Sequence, residues 1–308
     1  MSHAMDRDII GINWGSTNFR AFLIAADGQV RDAIEQPRGI AGLDRAQMQA
    51  LVAEIAARWP DAARIYASGM IGSNIGWSDA GYADCPTTLP QLAARLHHVH
   101  IGEVPVAIVP GLACRRAADD APDIMRGEET ELLGLIASGA VPATGLVALP
   151  GTHSKWVRLR DGAVVEFMTA MSGEIFDRLT AAGLLASVVD GPAEPGAAFE
   201  AGLRAGHASG LGLGTALFGA RARVIRGELA RRDGASYLRG LLIGAELADV
   251  RKLWTDAFAA PVPLVGAAPV CALYAAALAA LGGGGRQIPS HDASTRGFQA
   301  LDAAGRSA

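Results

Sequence analysis

The chain has 308 residues, of which 50% are hydrophobic and 19% charged, and its formal net charge at pH 7 is -4. This composition is typical of a packed globular enzyme and argues against a disordered chain. The sequence contains no lysine- or arginine-rich block, so a nucleic-acid partner is not expected.

Cysteine spacing and apolar runs indicate the compartment. Cys85, Cys114 and Cys271 are widely separated and form no CxxC pair. This spacing argues against a disulfide framework or a zinc site and favours a reducing, cytoplasmic compartment. The opening residues 1–5, MSHAM, read as a cloning remnant, and no signal-peptide pattern follows them. The apolar run at Leu238–Ala245 is too short to cross a bilayer, so no membrane association is expected.

The N-terminal segment predicts three antiparallel strands joined by tight turns. An apolar run at Ile9–Ile12 leads to a glycine and hydroxyl turn at Gly15. A second run covers Ala21–Ala26, and Asp27-Gly28 is a hairpin signal before a third strand.

The rest of the first half alternates between helical and strand patterns. Apolar positions at helical spacing predict a helix at Asp44–Trp59, with Asp44 as its N-cap. The other elements expected here are a strand at Arg64–Ala67, a long loop at Gly69–Pro90, a solvated helix end at His97, His98 and His100, a strand at Val104–Val109 and a helix at Glu128–Ala137.

The opening pattern then returns once, which indicates a diverged internal repeat. Strands are predicted at Leu146–Leu149, Val157–Leu159 and Val164–Phe167, with a glycine turn at Gly151 and a hairpin signal at Asp161-Gly162.

The remaining chain is mainly helical. Helices are expected at Ser172–Ala182, Gly196–His207, Gly214–Ala230, Ser236–Phe258, Val270–Leu281 and Thr295–Ala303, with a strand at Pro263–Val265 and a glycine breaker at Gly282–Gly285.

Two similar meanders, each with a glycine turn after its first strand, favour a clamp for nucleotide phosphates over a pair of ordinary hairpin bends. Phosphate oxygens bind backbone N–H groups at close range, and glycine permits that approach because it has no side chain. The candidate phosphate ligands are Gly15, Ser16, Thr17 and Arg20 at the first turn, and Gly151, Thr152, His153 and Lys155 at the second. The sequence has no GxxxxGK[ST] motif, so a P-loop kinase is not indicated.

Five motifs stand in order over nearly the whole chain. They are WGSTNFRA (Trp14–Ala21), GMIGSNIGW (Gly69–Trp77), MRGEETELLG (Met125–Gly134), PGTHSKWV (Pro150–Val157) and GLLIGAE (Gly240–Glu246). Together they resemble the 2-dehydro-3-deoxygalactonokinase family of the actin-like ATPase and sugar kinase superfamily. The combination of RGEET and PGTHSKW is the most specific part of this resemblance.

The resemblance implies an α/β, two-domain actin-like ATPase (ribonuclease H-like) fold with duplicated mixed sheets and a cleft between the domains. The expected N-terminal domain, 1–139, carries the sugar-acid site and the first phosphate loop. The expected C-terminal domain, 140–308, carries the second phosphate loop and an adenosine site at Gly266, and the last helix, 293–308, returns to the first domain. The family implies ATP-dependent phosphorylation of the 6-hydroxyl of 2-dehydro-3-deoxy-D-galactonate, with Mg²⁺, in galactonate breakdown. A homodimer is left open.

One position departs from the family pattern. The family usually has an aspartate before WGST, where this chain has Asn13. The resemblance places Asn13 near Mg²⁺, and an amide keeps an oxygen ligand but loses the charge that Mg²⁺ prefers. Glu131 is the second candidate metal ligand.

Catalytic and substrate-binding residues follow from the same motifs. In sugar kinases of this fold the base is an acid that opens the helix between the two phosphate loops, which favours Glu129 and then Glu128. Ordinary first-turn acids are the alternative. Arg126 is expected to bind the substrate carboxylate, and its alternative is a structural ion pair. Ser73, Asn74 and Trp77 are candidates for contacts with a small polar ligand, and a self-satisfied turn is their alternative.

Two other functions stay open on the sequence alone. One is phosphorylation of a different sugar acid. The other is a nucleotide-binding sensor with weakened catalysis, which Asn13 favours and the retained RGEET acids argue against.

Overall fold

The first sheet is built on the predicted N-terminal meander. The computed structural model describes residues 8–307, so the expectation for residues 1–5 lies outside the described residues. Antiparallel pairing joins the three meander strands as predicted, and the first of them also pairs in parallel with the strand Ile65–Gly69. The strands of this sheet, in the order β3-β2-β1-β4-β7-β6, are β1 (Ile9–Trp14), β2 (Phe19–Ile24), β3 (Val30–Gln36), β4 (Ile65–Gly69), β6 (His97–Ile101) and β7 (Val104–Ile108).

Helix α1 (Arg45–Arg58) covers one face of this sheet, close to its predicted bounds. Asp44 is the N-cap, and it forms a capping box in which its carboxylate accepts from the Gln47 backbone N–H at 2.8 Å. Such a box satisfies two donors that the helix end would otherwise leave unpaired.

Two expectations for the following region are wrong. The histidines at 97, 98 and 100 lie on the edge strand β6, because HHVHI alternates between the two faces of a sheet rather than following a helical stripe. The segment Gly69–Pro90 is not one loop. It contains a 3-10 turn at Met70–Gly72, the strand β5 (Tyr82–Asp84) and the start of helix α2 (Leu89–Ala93).

A small second sheet was not predicted. It consists of β5 with β8 (Gly111–Arg115) and β9 (Pro122–Met125). Strands this short give little periodic signal, and they are ordered by contacts with distant segments. An example is Cys114, whose thiol donates to the Phe167 carbonyl at 3.5 Å.

The third sheet repeats the plan of the first. An antiparallel meander again continues through a parallel strand next to its first member. In the order β12-β11-β10-β13-β14, its strands are β10 (Gly145–Leu149), β11 (Ser154–Arg160), β12 (Ala163–Ala170), β13 (Val262–Val265) and β14 (Gly285–Ile288). The internal repeat is thus confirmed. The predicted breaker at Gly282–Gly285 is wrong at Gly285, because this residue begins β14.

The helices lie near their predicted positions, with shifted ends. They are α3 (Glu128–Ala137), α4 (Ser172–Ala181), α5 (Ala197–His207), α6 (Leu213–Ile225), α7 (Gly234–Leu253), α8 (Ala268–Ala280) and α9 (Ala293–Ser307). Helix α9 packs on α3 and on β1, where the Phe298 ring fills the space that a side chain at Gly11 would need. Within residues 8–307, no helix has the length and apolarity needed to span a membrane.

Helices α5 and α7 approach each other along a row of glycines. A Cβ at Gly244 would lie 2.2 Å from the Leu203 carbonyl oxygen, and one at Gly206 would lie 2.0 Å from the Leu241 carbonyl oxygen. Only hydrogen at these positions lets the two backbones meet. We call this contact the glycine seam, and it fixes α7 behind the third sheet.

We expect Gly244→Ala to lower the free energy of unfolding by about 1–3 kcal/mol, because the added methyl group overlaps the Leu203 carbonyl. Gly214→Ala is the matched control, since a Cβ at Gly214 in α6 would meet no atom within 4 Å. That control should be neutral or stabilising by up to about 1 kcal/mol. Urea unfolding measures both values, and equal stability of the two variants would contradict the seam.

Candidate active site

The first turn of α3 is the centre of the candidate site. Gly127 precedes this helix with φ of 108°, in the left-handed region that glycine adopts at low cost. A Cβ on Gly127 would lie 3.4 Å from the Cα of Gly69, at the end of β4. The close approach of these two glycines sets the start of α3 against the carboxyl end of the first sheet.

Asn13 joins this helix turn to the first phosphate turn. Its Nδ2 donates to Glu131 Oε1 at 3.2 Å and to Ser294 Oγ at 2.9 Å, and the Ser294 hydroxyl donates to the same Glu131 oxygen at 2.7 Å. Burial, followed by the charge of Glu128, raises the pKa of Glu131, while the Ser294 hydrogen bond lowers it.

Lys155 joins the same helix turn to the second phosphate turn. Its Nζ lies 3.2 Å from Glu128 Oε1, and the lysine side chain is only 6% exposed while that of Glu128 is 30% exposed. A buried ammonium needs such a partner, because an isolated charge in the interior is costly.

Residues on the strands next to the two turns therefore contact one turn of α3. Glu128 and Glu131 are three residues apart, so their side chains lie on one face of α3. One contacts Lys155 and the other contacts Asn13. The strands that carry the two predicted phosphate turns thus meet across a shared group of acids.

Backbone hydrogen bonds from a neighbouring segment support the first predicted phosphate turn. The carbonyls of Gly15, Ser16 and Thr17 accept hydrogen bonds from the backbone N–H groups of the segment 39–41, at 3.0 to 3.1 Å. Ser16 and Thr17 are exposed. The Arg20 side chain pairs with Glu35 at 2.8 Å on the exposed face of the sheet, and its charge also lowers the pKa of Glu131.

The second predicted phosphate turn packs against neighbouring backbone. The Pro150 carbonyl lies 2.8 Å from the position that a Cβ at Gly266 would take, so Gly266 adjoins this turn. Thr152 is exposed, and its carbonyl accepts from the Glu174 N–H at 2.9 Å. His153 Nε2 lies 2.6 Å from the Glu174 carboxylate, which lowers the pKa of Glu174.

Glu129 is fully buried. Its carboxylate accepts from the Gly127 N–H at 2.6 Å and from the Thr130 hydroxyl at 3.1 Å. Burial, then the charge of Glu128, raises the pKa of Glu129 to about 8. Glu128 is the more accessible of the two candidate bases, since part of its side chain faces solvent.

Arg126 is a buried cation with unused donors. Its Nη2 donates to the Gly81 carbonyl at 3.0 Å, and its guanidinium stacks over the Tyr82 ring at 4.4 Å. In the described part of the chain, its Nε and Nη1 atoms are buried without a hydrogen-bond partner. Unpaired buried donors cost free energy, which makes them a natural site for an anionic ligand.

The other predicted substrate residues follow Gly72, where an added Cβ would lie 3.1 Å from Arg126 Nη1, and two of them have hydrogen-bond partners of their own. Ser73 donates to the Met70 carbonyl at 2.7 Å, and Asn74 is exposed. The Trp77 indole donates to the His100 carbonyl at 3.2 Å and lies under the Arg45 guanidinium. The turn thus satisfies its own polar groups.

The geometry agrees with comparisons to known proteins. A family model described as 2-keto-3-deoxy-galactonokinase matches residues 13–301. The chain belongs to the 2-keto-3-deoxy-galactonokinase family. It is also 33% identical over 274 residues to the 2-dehydro-3-deoxygalactonokinase of Escherichia coli K12, an alignment that covers 89% of this chain and 90% of that protein.

Solved structures identify the fold of this galactonokinase family member. A crystal structure from Sinorhizobium meliloti, assigned to 2-dehydro-3-deoxygalactonokinase, matches with a TM-score of 0.85 at 33% identity, covering 97% of this chain and 98% of that chain. The activator of 2-hydroxyisocaproyl-CoA dehydratase from Clostridium difficile, solved with bound ADPNP, matches with a TM-score of 0.51 at 11% identity, over 97% and 96% of the two chains. The predicted actin-like ATPase fold is therefore confirmed.

Some residues of the candidate site were missed from the sequence. Ser294 lies 281 positions from its partner Asn13, and no local pattern connects them. Tyr82 belongs to one of the short strands that the sequence did not reveal. Ser68 pairs in register with Asn13, and its buried hydroxyl has no hydrogen-bond partner within residues 8–307.

The donors near Asn13 fit the Mg²⁺ that galactonokinase chemistry implies, provided that other ligands complete its shell. Among residues 8–307 there is no group of three or more His, Cys, Asp or Glu side chains suited to a metal. Asn13 uses its Nδ2 for both hydrogen bonds, so its Oδ1 is available as a hard oxygen ligand beside the Glu131 carboxylate. Mg²⁺ commonly takes one or two protein oxygens and completes its shell with water and substrate phosphates.

We expect Asn13→Asp to lower the thermal stability of the metal-free protein by a few degrees. The change replaces the donor to Glu131 and Ser294 with a second carboxylate, a loss of about 1–3 kcal/mol. Added Mg²⁺ should raise the melting temperature of this variant more than that of the wild type, because it binds between the two acids.

Differential scanning fluorimetry with EDTA or Mg²⁺ measures this effect. Gln29→Glu, on an exposed turn, is the charge-matched control and should respond to Mg²⁺ like the wild type. An equal Mg²⁺ response in all three proteins would remove Asn13 from the metal site.

Proposed function

We propose that this chain transfers the γ-phosphate of ATP to the 6-hydroxyl of 2-dehydro-3-deoxy-D-galactonate, a step of galactonate breakdown. Support for the substrate comes from the family and from the named relative in Escherichia coli. The observation that carries the proposal is that the strands adjoining both glycine turns contact the acids of α3, through Asn13–Glu131 and Lys155–Glu128.

Phosphate binding is assigned to the two turns. Backbone N–H groups around Gly15 and Gly151, with the hydroxyls of Ser16, Thr17 and Thr152, are the proposed donors. Lys155 would move from Glu128 to the phosphates, because a polyphosphate carries more negative charge than one carboxylate. His153 and Gly266 border the second turn and are proposed to contact the phosphate and the adenosine. Arg20 remains a candidate phosphate ligand, but its side chain must leave Glu35 to bind a phosphate.

The chemical step is a displacement at phosphorus. The 6-hydroxyl oxygen forms a bond to the γ-phosphorus, the bond to the β-phosphate oxygen breaks, and ADP leaves. The hydroxyl proton passes to a carboxylate, for which we propose Glu128 ahead of Glu129. Partial exposure supports Glu128, which would be freed when Lys155 turns to the phosphates, whereas Glu129 is enclosed by its own helix start.

Mg²⁺ bound near Asn13 and Glu131 would neutralise the charge that develops on the transferred phosphate. Arg126 is proposed to bind the substrate carboxylate, because its Nε and Nη1 donors are buried without a partner in the described part of the chain and its charge strengthens such a contact. Ser73, Asn74 and Trp77 would then shape the nearby turn without holding the ligand directly.

We propose two domains, 1–139 and 140–308, with α9 added to the first. Contacts of α9 with α3 and β1 support that addition. Closure of the domains over both substrates would exclude water, which otherwise competes with the sugar hydroxyl. A cytoplasmic enzyme, able to form a homodimer, fits the same scheme.

A coupled assay of ADP release tests this function. We expect release that depends on 2-dehydro-3-deoxy-D-galactonate, and Glu128→Gln should reduce kcat by about 100-fold or more, since general-base catalysis contributes on that scale. ATP binding, measured by calorimetry, should remain in that variant. Glu129→Gln is the matched neighbour and should retain clearly more turnover.

Each other outcome contradicts a defined part of the proposal. Near-normal turnover of Glu128→Gln together with loss in Glu129→Gln would make Glu129 the base. ADP release only with a different sugar acid would reject the substrate. Nucleotide binding without turnover on any sugar acid would indicate a sensor.

We expect Arg126→Ala to raise the KM for the sugar acid by about 10- to 100-fold, because a charge-assisted pair contributes about 1.5–3 kcal/mol. The KM for ATP should stay within about twofold. Arg115→Ala, which removes an exposed arginine with an ion pair to Asp120, is the control. An unchanged KM for the sugar acid would exclude Arg126 from the substrate site.

A further inference from the structure

We propose that Tyr274 and Glu246 are positioning residues that hold the second phosphate turn in its phosphate-binding conformation. Neither residue belongs to the acids of α3 or to the turn itself. They lie on α8 and α7 and reach the turn from behind the third sheet. This inference rests on the proposed role of that turn in binding ATP.

The first link runs from Tyr274 to the backbone of the turn. The Tyr274 hydroxyl lies 2.8 Å from the Ser154 hydroxyl. The Ser154 Oγ in turn accepts from the Gly151 N–H at 3.3 Å. Tyr274 and Ser154 are both buried, so water does not compete for these bonds.

Glu246 anchors this link from the opposite side. Its two oxygens lie 3.0 and 2.9 Å from the Tyr274 hydroxyl. It also accepts from the Trp156 indole N–H at 2.6 Å and from the Ser172 hydroxyl. The carboxylate is 4% exposed and lies near the buried Arg239, whose charge acts on it.

A second link from Glu246 reaches the turn at Gly151 and Thr152. Its partner Ser172 begins α4, and the next residue, Gly173, lies directly against the turn. A Cβ there would lie 2.3 Å from the Gly151 carbonyl oxygen and 2.7 Å from the Thr152 Cα. The Glu174 N–H then donates to the Thr152 carbonyl at 2.9 Å.

One buried carboxylate therefore supports the turn through two separate links. Through Tyr274 and Ser154 it orients the Gly151 N–H, and through Ser172 it sets the start of α4 against Thr152. A phosphate site gains affinity when its donors are held in place before binding, because less ordering is required on binding. Burial raises the pKa of Glu246 and of Tyr274, while their hydrogen bonds act in the opposite direction.

Tyr274→Phe tests this inference in the full-length protein. The variant keeps the ring and removes only the hydroxyl that links Ser154 to Glu246. Calorimetry with Mg²⁺–ATP should show about tenfold weaker binding, the loss that one hydrogen bond of about 1.4 kcal/mol produces. Binding of adenosine, which has no phosphate, should be unchanged.

Tyr66→Phe is the matched control. The Tyr66 hydroxyl is also buried and donates to a carboxylate, that of Asp302 at 2.8 Å, but it lies in the first sheet beside α9. Its removal should lower thermal stability by a similar amount and leave ATP affinity unchanged. Ser154→Ala provides a second variant with the same expected loss of ATP affinity if Tyr274→Phe does not fold.

The outcomes separate this inference from the proposed function. Wild-type protein that does not bind ATP would overturn both. Wild-type binding with unchanged ATP affinity in Tyr274→Phe and Ser154→Ala would overturn the positioning role alone. Equal weakening of ATP and adenosine would also overturn it, because that result indicates general loosening of the domain.

Discussion

The ion pair between Lys155 and Glu128 is the contact on which the arrangement of the site depends. It connects a strand of the third sheet with a helix that belongs to the first half of the chain. Because the Lys155 side chain is only 6% exposed, removal of Glu128 would leave a largely buried charge without its partner, at a cost greater than the pair itself gains. The ion pair therefore holds the two halves of the chain together. In this position Lys155 is a cation that a competing anion, such as a polyphosphate, can bind.

Of the acids around this pair, only Glu128 has a cation within ion-pair distance in the described part of the chain. Glu128, Glu129 and Glu131 occupy one helical turn, and burial raises the pKa of the last two. The Arg20 side chain pairs with Glu35, and its charge also lowers the pKa of Glu131 in opposition to the effect of burial. The raised pKa values mean that the protonated forms of Glu129 and Glu131 are favoured in the ligand-free protein, and a bound cation would favour their charged forms.

The sequence predicted the repeated meanders, because apolar runs, glycine turns and the two Asp-Gly hairpins are local signals. It also predicted the helix at Glu128–Ala137 with its correct bounds. It did not reveal β5, β8 and β9, whose few residues are ordered by distant contacts. In the site, motifs pointed to Lys155, Asn13 and the acids, but Ser294 and Tyr274 come from remote segments. The substrate role expected for Trp77 depended on its place in a loop, and in the structure its indole is bound by the adjacent strand.

The position of α9 affects how the first sheet folds while the chain is being synthesised. Phe298 packs over Gly11 in β1, and Gly297 packs against the Thr130 carbonyl in α3. The first sheet therefore keeps an apolar face uncovered until residues near 300 have left the ribosome. N-terminal units generally fold first during translation. The N-terminal half of this chain would therefore remain a partly folded intermediate, which chaperones can bind, until α9 has been synthesised. A circular permutant that begins with α9 would supply the covering helix at the outset and shorten that interval.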